Sequence, residues 1–116
     1  MIVEYCLNID VQSKERRETK DIRGGSYGEL EKIAKAAITI PCVTAVEIVE
    51  IDTGVHGNTF RRTKYKEQNS EANDYYTTEE CFKEDLRSRL GDDDLFRLYT
   101  GERSGCFFIY GGGWIF

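Results

Sequence analysis

Alternating apolar and polar positions mark the first element of the chain. Between residues 2 and 11, five apolar side chains alternate with polar or small ones: Val3, Tyr5, Leu7, Ile9 and Val11. Successive side chains of a strand point to opposite faces, so this pattern predicts a half-buried β-strand. The polar residues 12–22 follow without a turn glycine, and their pattern leaves open either a continuation into a β-ribbon or a loop.

A helix is predicted at 26–39. Ser26 and Glu29 have the spacing of a capping box, in which each side chain accepts a hydrogen bond from the other residue's backbone N–H. Four apolar side chains then recur at helical spacing: Leu30, Ile33, Ala34 and Ala37. Pro41 disfavours helical geometry at the residue before it, so the helix ends ahead of it.

The middle of the chain predicts a β-hairpin over 43–66. Residues 43–52 are rich in β-branched side chains and nearly continuously apolar, which is typical of an interior strand. Residues 53–58 contain two glycines and an asparagine and form the turn, and 59–66 form the partner strand.

The last third of the chain predicts one more helix and short strands. Thr77 and Glu80 have capping-box spacing, an apolar stripe follows, and Gly91 caps the end of the helix. The stripe consists of Phe82, Leu86 and Leu90. Residues 95–100 and 106–110 are interpreted as strands. Burial of large apolar side chains is favourable, so we expect the terminal Trp114, Ile115 and Phe116 to be buried.

The predicted order is therefore β-α-β-β-α-β-β, an α+β class with two helices on one face of an antiparallel sheet. Its first six elements match the split βαβ, ferredoxin-like pattern, or a related sheet order, with an extra strand. The chain has 116 residues, of which 40% are hydrophobic and 12% aromatic. That is enough apolar material for one core, so we expect a single domain over 1–116.

Charge is distributed unevenly, and this changes the functional picture. The net charge is −5 overall, yet residues 1–66 carry 11 basic and 10 acidic side chains. Residues 67–94 carry 3 basic and 10 acidic side chains, which places the acidic excess in one segment.

The sequence predicts a cytoplasmic protein. Its first residues lack the basic and apolar regions of a signal peptide, and no window approaches the ~20 apolar residues of a membrane helix. Cys6, Cys42, Cys81 and Cys106 are widely spaced, which favours free thiols, although an even number leaves two disulfides open.

No catalytic, metal or cofactor site is predicted. The glycine-rich turn at 23–28 fits neither of two phosphate-binding motifs, G-x-x-x-x-G-K-[ST] and G-x-G-x-x-G. It is interpreted as a junction into the helix. His56, the sole histidine, lies in the hairpin turn and is expected to be exposed; an enzyme pairing it with a cysteine is the weakest alternative. The cysteines lack the short-range pairing of most zinc sites.

The favoured function is a non-enzymatic protein-binding module, an inhibitor whose acidic side chains dock on a basic partner. The candidate contact residues are Glu79, Glu80, Glu84, Asp85, Asp92, Asp93 and Asp94. Asp92, Asp93 and Asp94 are predicted to lie near the negative end of a helix dipole, a mild cost that hints at a use. In size and charge alone the chain is similar to small inhibitors such as anti-CRISPR proteins, which suggests mimicry of nucleic acid.

The alternative function is binding of single-stranded nucleic acid by the strand at 59–66. Its candidate residues are Phe60, Arg61, Arg62, Lys64, Tyr65 and Lys66, because bases stack on aromatic rings and cations attract phosphates. The same cations could instead protect a sheet edge from unwanted pairing. Exposed sheet edges and the aromatic C-terminus also leave a homodimer open.

Overall fold

The computed structural model describes residues 2–12, 17–54, 56–72, 79–100 and 109–111. Five strands and three helices occur in these ranges. In chain order they are β1 (Ile2–Gln12), β2 (Arg17–Arg23), α1 (Tyr27–Ala37), β3 (Val43–Thr53), β4 (Thr59–Gln68), α2 (Glu79–Leu90), α3 (Asp93–Thr100) and β5 (Ile109–Gly111).

The strands form one antiparallel sheet in the order β4-β3-β1-β2, and the short β5 pairs with the outer edge of β2. Leu7 of β1 lies opposite Ile22 of β2 on one side and Ile48 of β3 on the other. Since β2 and β3 are both antiparallel to β1, they are parallel to each other, and α1 is the crossover that connects them.

All three helices cover the same face of this sheet. Their apolar side chains join those of β1, β2 and β3 in one buried cluster, so the domain has two layers. The cluster includes Leu7, Ile9, Ile22, Leu30, Ile33, Ile48, Leu86, Leu95 and Leu98. Cys6, Val49 and Ile51 form a smaller buried cluster, which the register places on the opposite face, called here the open face.

The sequence predictions for β1, α1 and the central hairpin are confirmed. Ser26 caps α1, with both hydrogen bonds of the predicted capping box present. β3 is an interior strand between β1 and β4, and β4 pairs with it as a hairpin. Of residues 12–22, which the sequence left undecided, 17–22 belong to the strand β2, which ends at Arg23, the first residue of the predicted turn.

The predicted strand at 95–100 is wrong, because these residues belong to the helix α3. Asp92 caps this helix, accepting hydrogen bonds from the backbone N–H groups of Asp94 and Leu95 at 3.0 and 3.3 Å. Leu95, Leu98 and Tyr99 are the buried side chains, and their spacing is helical rather than alternating.

The ferredoxin-like order is not confirmed. In that pattern the last strand pairs beside the first, whereas here β2 occupies that edge of β1 and β5 pairs with β2 instead. The observed order is β-β-α-β-β-α-α-β, with three helices rather than two on one face. The capping box at Thr77, most of the predicted strand at 106–110 and the aromatic residues 114–116 lie outside the described residues.

Candidate functional site

Five of the seven predicted acidic residues have described side chains on α2 or at the start of α3, and we call these five the acidic surface: Glu84, Asp85, Asp92, Asp93 and Asp94. The side chains of Glu79 and Glu80 lie outside the described part of the chain. Glu79 and Glu80 begin α2, and Glu84 and Asp85 lie in its middle. The three aspartates lie at the start of α3, directly after the single glycine that ends α2. Within residues 79–100, seven acidic and four basic side chains leave a net charge of −3.

The position of the three aspartates differs from the expected one. They lie at the N-terminus of α3, where the helix dipole favours negative charge, and Asp92 caps this helix. Their electrostatic position is therefore favourable, and the expected cost near the end of α2 gives no argument for function.

Two of the acidic side chains are paired with arginines of α2. Arg89 contacts Asp85 at 3.2 Å and Arg87 contacts Asp93 at 3.4 Å, and both pairs lie at the surface. Exposed ion pairs of this kind contribute at most about 1 kcal/mol to stability. Cations of a partner can therefore replace the arginines beside these carboxylates. Glu84 and Asp94 are exposed and make no ion pair within the described part of the chain.

The predicted basic and aromatic residues all lie on β4, an edge strand of the sheet. The register divides them between two faces. Arg61 and Lys66 lie opposite Ile51 and Glu47 on the open face. Phe60, Arg62 and Tyr65 lie on the helix side, and an irregularity in the β3–β4 register falls at Lys64. The six residues therefore do not form a single platform.

Carboxylates of β3 lie next to several of these cations. Lys64 Nζ is 3.6 Å from Glu50 Oε2, and Arg62 lies directly opposite Glu50 in the register. Glu47, opposite Lys66, accepts a hydrogen bond from Thr63 at 2.6 Å. Glu47 on the open face and Glu50 on the helix side thus place a carboxylate beside the cations on each face of the sheet, which opposes the approach of a phosphate backbone.

The two aromatic rings of β4 have different environments. Phe60 is 61% exposed. Tyr65 is half-buried against the core, and its hydroxyl donates a hydrogen bond to Glu67. Only Phe60 therefore presents a ring for stacking among the described residues of this strand.

The cysteine thiols and His56 do not form a catalytic arrangement in the described residues. Cys6 and Cys42 are buried free thiols, and burial raises the pKa of both, that of Cys42 to about 12. A thiol with a raised pKa is a poor nucleophile because little thiolate is present near neutral pH. His56 is exposed in the hairpin turn and Cys81 is exposed on α2, whereas Cys106 lies outside the described residues.

The glycine-rich turn before α1 uses its polar groups internally. The N–H of Gly24 bonds the carbonyl of Tyr5, and the N–H of Ser26 bonds the carboxylate of Glu29. These bonds explain the turn as a junction that fixes the start of α1. The Glu29 carboxylate would also repel a phosphate placed there.

The open face carries polar groups that the sequence pattern did not single out. Asp21 and Arg23 of β2 lie opposite Asn8 and Cys6 of β1. Burial raises the pKa of Asp21, and its Oδ1 atom is buried without a hydrogen-bond partner among the described residues. The sequence pattern does not reveal these groups, because residues 12–22 show no clear alternation of apolar and polar side chains.

Comparisons with protein-family models, curated proteins and solved structures found no match. The described residues contain no cluster of three or more metal-ligating side chains. None of the described helices is long and apolar enough to cross a membrane.

Proposed function

We propose that this chain is a non-enzymatic protein-binding module whose acidic surface on α2 and α3 contacts a basic partner. The observation that supports this proposal is the exposure of Glu84 and Asp94, which have no ion-pair partner among the described residues. The surrounding pairs with Arg87 and Arg89 are exposed and can exchange for contacts with a partner.

The partner that suits this surface is a protein with a basic face. Complementary charge increases the rate of association and fixes the orientation of the partners more than it raises affinity. A basic protein that handles nucleic acid is the sharpest version of the proposal, because a row of carboxylates can occupy a site built for phosphates. The chain would then act as an inhibitor in the cytoplasm, where Cys6 and Cys42 stay reduced.

The experiment compares charge reversals on the acidic surface with a matched reversal elsewhere. Glu84→Lys and Asp94→Lys remove exposed charges that are neither in a described ion pair nor the side chain that caps α3. Glu4→Lys makes the same change in net charge at an exposed position of β1. The tagged proteins are used to retain partners from cell lysate at low and moderate salt.

The expected result is a basic protein retained by the wild type and by Glu4→Lys, and released as salt rises. Its affinity for each single variant, Glu84→Lys or Asp94→Lys, should fall by about fivefold or more, which corresponds to about 1 kcal/mol. Equal retention by all variants would contradict the proposal. Retention of nucleic acid through β4, without a protein, would favour the alternative function.

A further inference from the structure

β4 is an edge strand with one unused side. Among the described elements its only partner is β3, although it runs for 10 residues. Backbone N–H and C=O groups on alternate residues of an edge strand point away from the sheet and can pair with another strand. Nine of its ten residues are exposed, so no described element packs over this edge.

The charge along this edge is strongly positive. Arg61, Arg62, Lys64 and Lys66 outnumber the single acidic residue Glu67. Of these cations only Lys64 forms an ion pair within the described part of the chain. Cations lie on both faces of β4, so a neighbouring strand would meet positive charge whichever way its side chains alternate.

We propose that β4 binds an acidic, extended peptide segment of a partner protein, which adds to the sheet as a further strand. Such a strand would lie about 4.8 Å from β4 and about twice that distance from β3. Its carboxylates would therefore be nearer to Arg61 and Arg62 than to Glu47 and Glu50 of β3. Phe60, exposed at the beginning of β4, supplies an apolar contact for a side chain of the peptide.

The same charges exclude other occupants of the edge. Antiparallel pairing of β4 with β4 of a second copy would place cations opposite cations, which is destabilising. Charged side chains and bulges on an edge strand are features by which natural sheets prevent pairing with neutral strands. β4 has both, in its four cations and in the irregularity at Lys64. Selection of an acidic strand thus combines attraction with rejection of the alternatives.

A nucleic acid fits this edge less well than an acidic peptide. Stacking requires exposed rings, and β4 offers only Phe60, which lies opposite the carboxylate of Asp52 in the register. Pairing with a peptide uses the backbone groups of the edge, which a single-stranded oligonucleotide leaves unused. This surface is separate from the acidic surface of the proposed function, so either proposal can fail alone.

The test uses a fluorescein-labelled peptide in which glutamate alternates with valine. Two peptides of matched length serve as controls: one replaces glutamate with lysine, and one replaces valine with proline, which keeps the charge but removes backbone donors. Binding is measured by fluorescence anisotropy at low and moderate salt. Amide hydrogen exchange, followed by NMR, reports which backbone N–H groups the peptide protects.

The protein variants are Arg61→Glu/Arg62→Glu and, as a control with the same charge change, Lys32→Glu/Arg97→Glu on the helices. All four positions are exposed, so each variant is expected to fold, which circular dichroism checks. The acidic peptide should bind the wild type and the control, and its affinity for the β4 variant should fall by about tenfold. Alternate amides of β4 should exchange more slowly in its presence.

Any one of the following outcomes would overturn the proposal. The acidic peptide could fail to bind, or the proline peptide could bind equally well without protecting the amides of β4. The lysine peptide or a second copy of the chain could protect those amides to the same degree. A single-stranded oligonucleotide could bind more tightly through Arg61 and Arg62, which would assign the surface to nucleic acid.

Discussion

Asp92, Asp93 and Asp94 follow one another in the chain, yet their side chains have different environments. Asp92 accepts two backbone hydrogen bonds at the start of α3, and Asp93 contacts Arg87 of α2. Asp94 has no ion-pair partner among the described residues. A substitution that changes all three would therefore mix a loss of stability with a loss of surface charge.

Replacing the capping residue should lower stability more than replacing its neighbour. Asp92→Ala removes the acceptor for two backbone N–H groups and should lower the free energy of unfolding by about 1 kcal/mol. Asp93→Ala removes an exposed ion pair and a charge that the dipole of α3 favours, but no capping hydrogen bond, and should cost about 0.5 kcal/mol. Urea unfolding of both variants measures the difference; equal losses would contradict the capping role.

Single buried polar groups also show what local sequence leaves undetermined. Lys20 lies opposite Ile9, with its side chain on the helix side of the sheet and only 2% exposed. A lysine in a polar segment is normally expected at the surface. Its burial follows from the register of β2, which no residue in the segment itself specifies.

The junction between β2 and α1 depends on backbone geometry at two glycines. Gly25 has φ of +74°, and a Cβ there would lie 2.8 Å from a methyl carbon of Leu98. Gly28, three residues later in the first turn of α1, has open space around its Cα. The tight packing of the turn against α3 thus requires glycine at one position but not at the other.

Alanine at these two glycines should have opposite effects. Gly25→Ala forces a side chain into left-handed geometry and displaces Leu98, and should lower the free energy of unfolding by about 1–3 kcal/mol. Gly28→Ala should leave stability unchanged or raise it by up to about 1 kcal/mol, because alanine favours helix. Thermal unfolding distinguishes the two, and a destabilised Gly28→Ala would contradict this account of the turn.

Whole elements were predicted best where periodicity was strong. β1 shows clear alternation and α1 combines helical spacing with a capping box, and both are confirmed. Residues 95–100 were mistaken for a strand because six residues give little periodicity. The decisive features of α3 are its cap and its packing in the helix layer, and the packing is not local.

The two-layer arrangement buries Cys42 at the connection between α1 and β3. Burial raises the pKa of its thiol from an ordinary value of 9.0 to about 12. The unfolded chain therefore releases this proton at a lower pH than the folded chain. The thiol contributes its full stability below pH 9, and this contribution is lost as pH rises from 9 towards 12.

Stability should accordingly fall at alkaline pH, and less steeply when this thiol is removed. At pH 10.5 the loss due to Cys42 should be on the order of 2 kcal/mol. Cys42→Ala lacks the titrating group and serves as the control, because half-buried Tyr65 and buried Cys6, whose pKa values burial also raises, are present in both proteins. Urea unfolding from pH 8 to pH 10.5 gives the two slopes; parallel slopes would contradict the burial of the thiol.

Charge at the level of the whole domain is separated between helix layer and sheet edge. The acidic surface lies on α2 and α3, and the cations of β4 lie at the edge of the sheet. The two surfaces suit partners of opposite charge. Charge reversal on the acidic surface is therefore expected to weaken binding of a basic protein, and charge reversal on β4 to weaken binding of an acidic peptide.

The sequence by itself determined β1, α1, the hairpin of β3 and β4, the α+β class and the location of the acidic excess. These depend on periodicity, caps and composition, which are properties of neighbouring residues. Tertiary structure decided the sheet order, the helical state of 95–100, the burial of Lys20 and the exposure of Val3. Each of these depends on which elements pack together, and that is set by contacts between residues far apart in the chain.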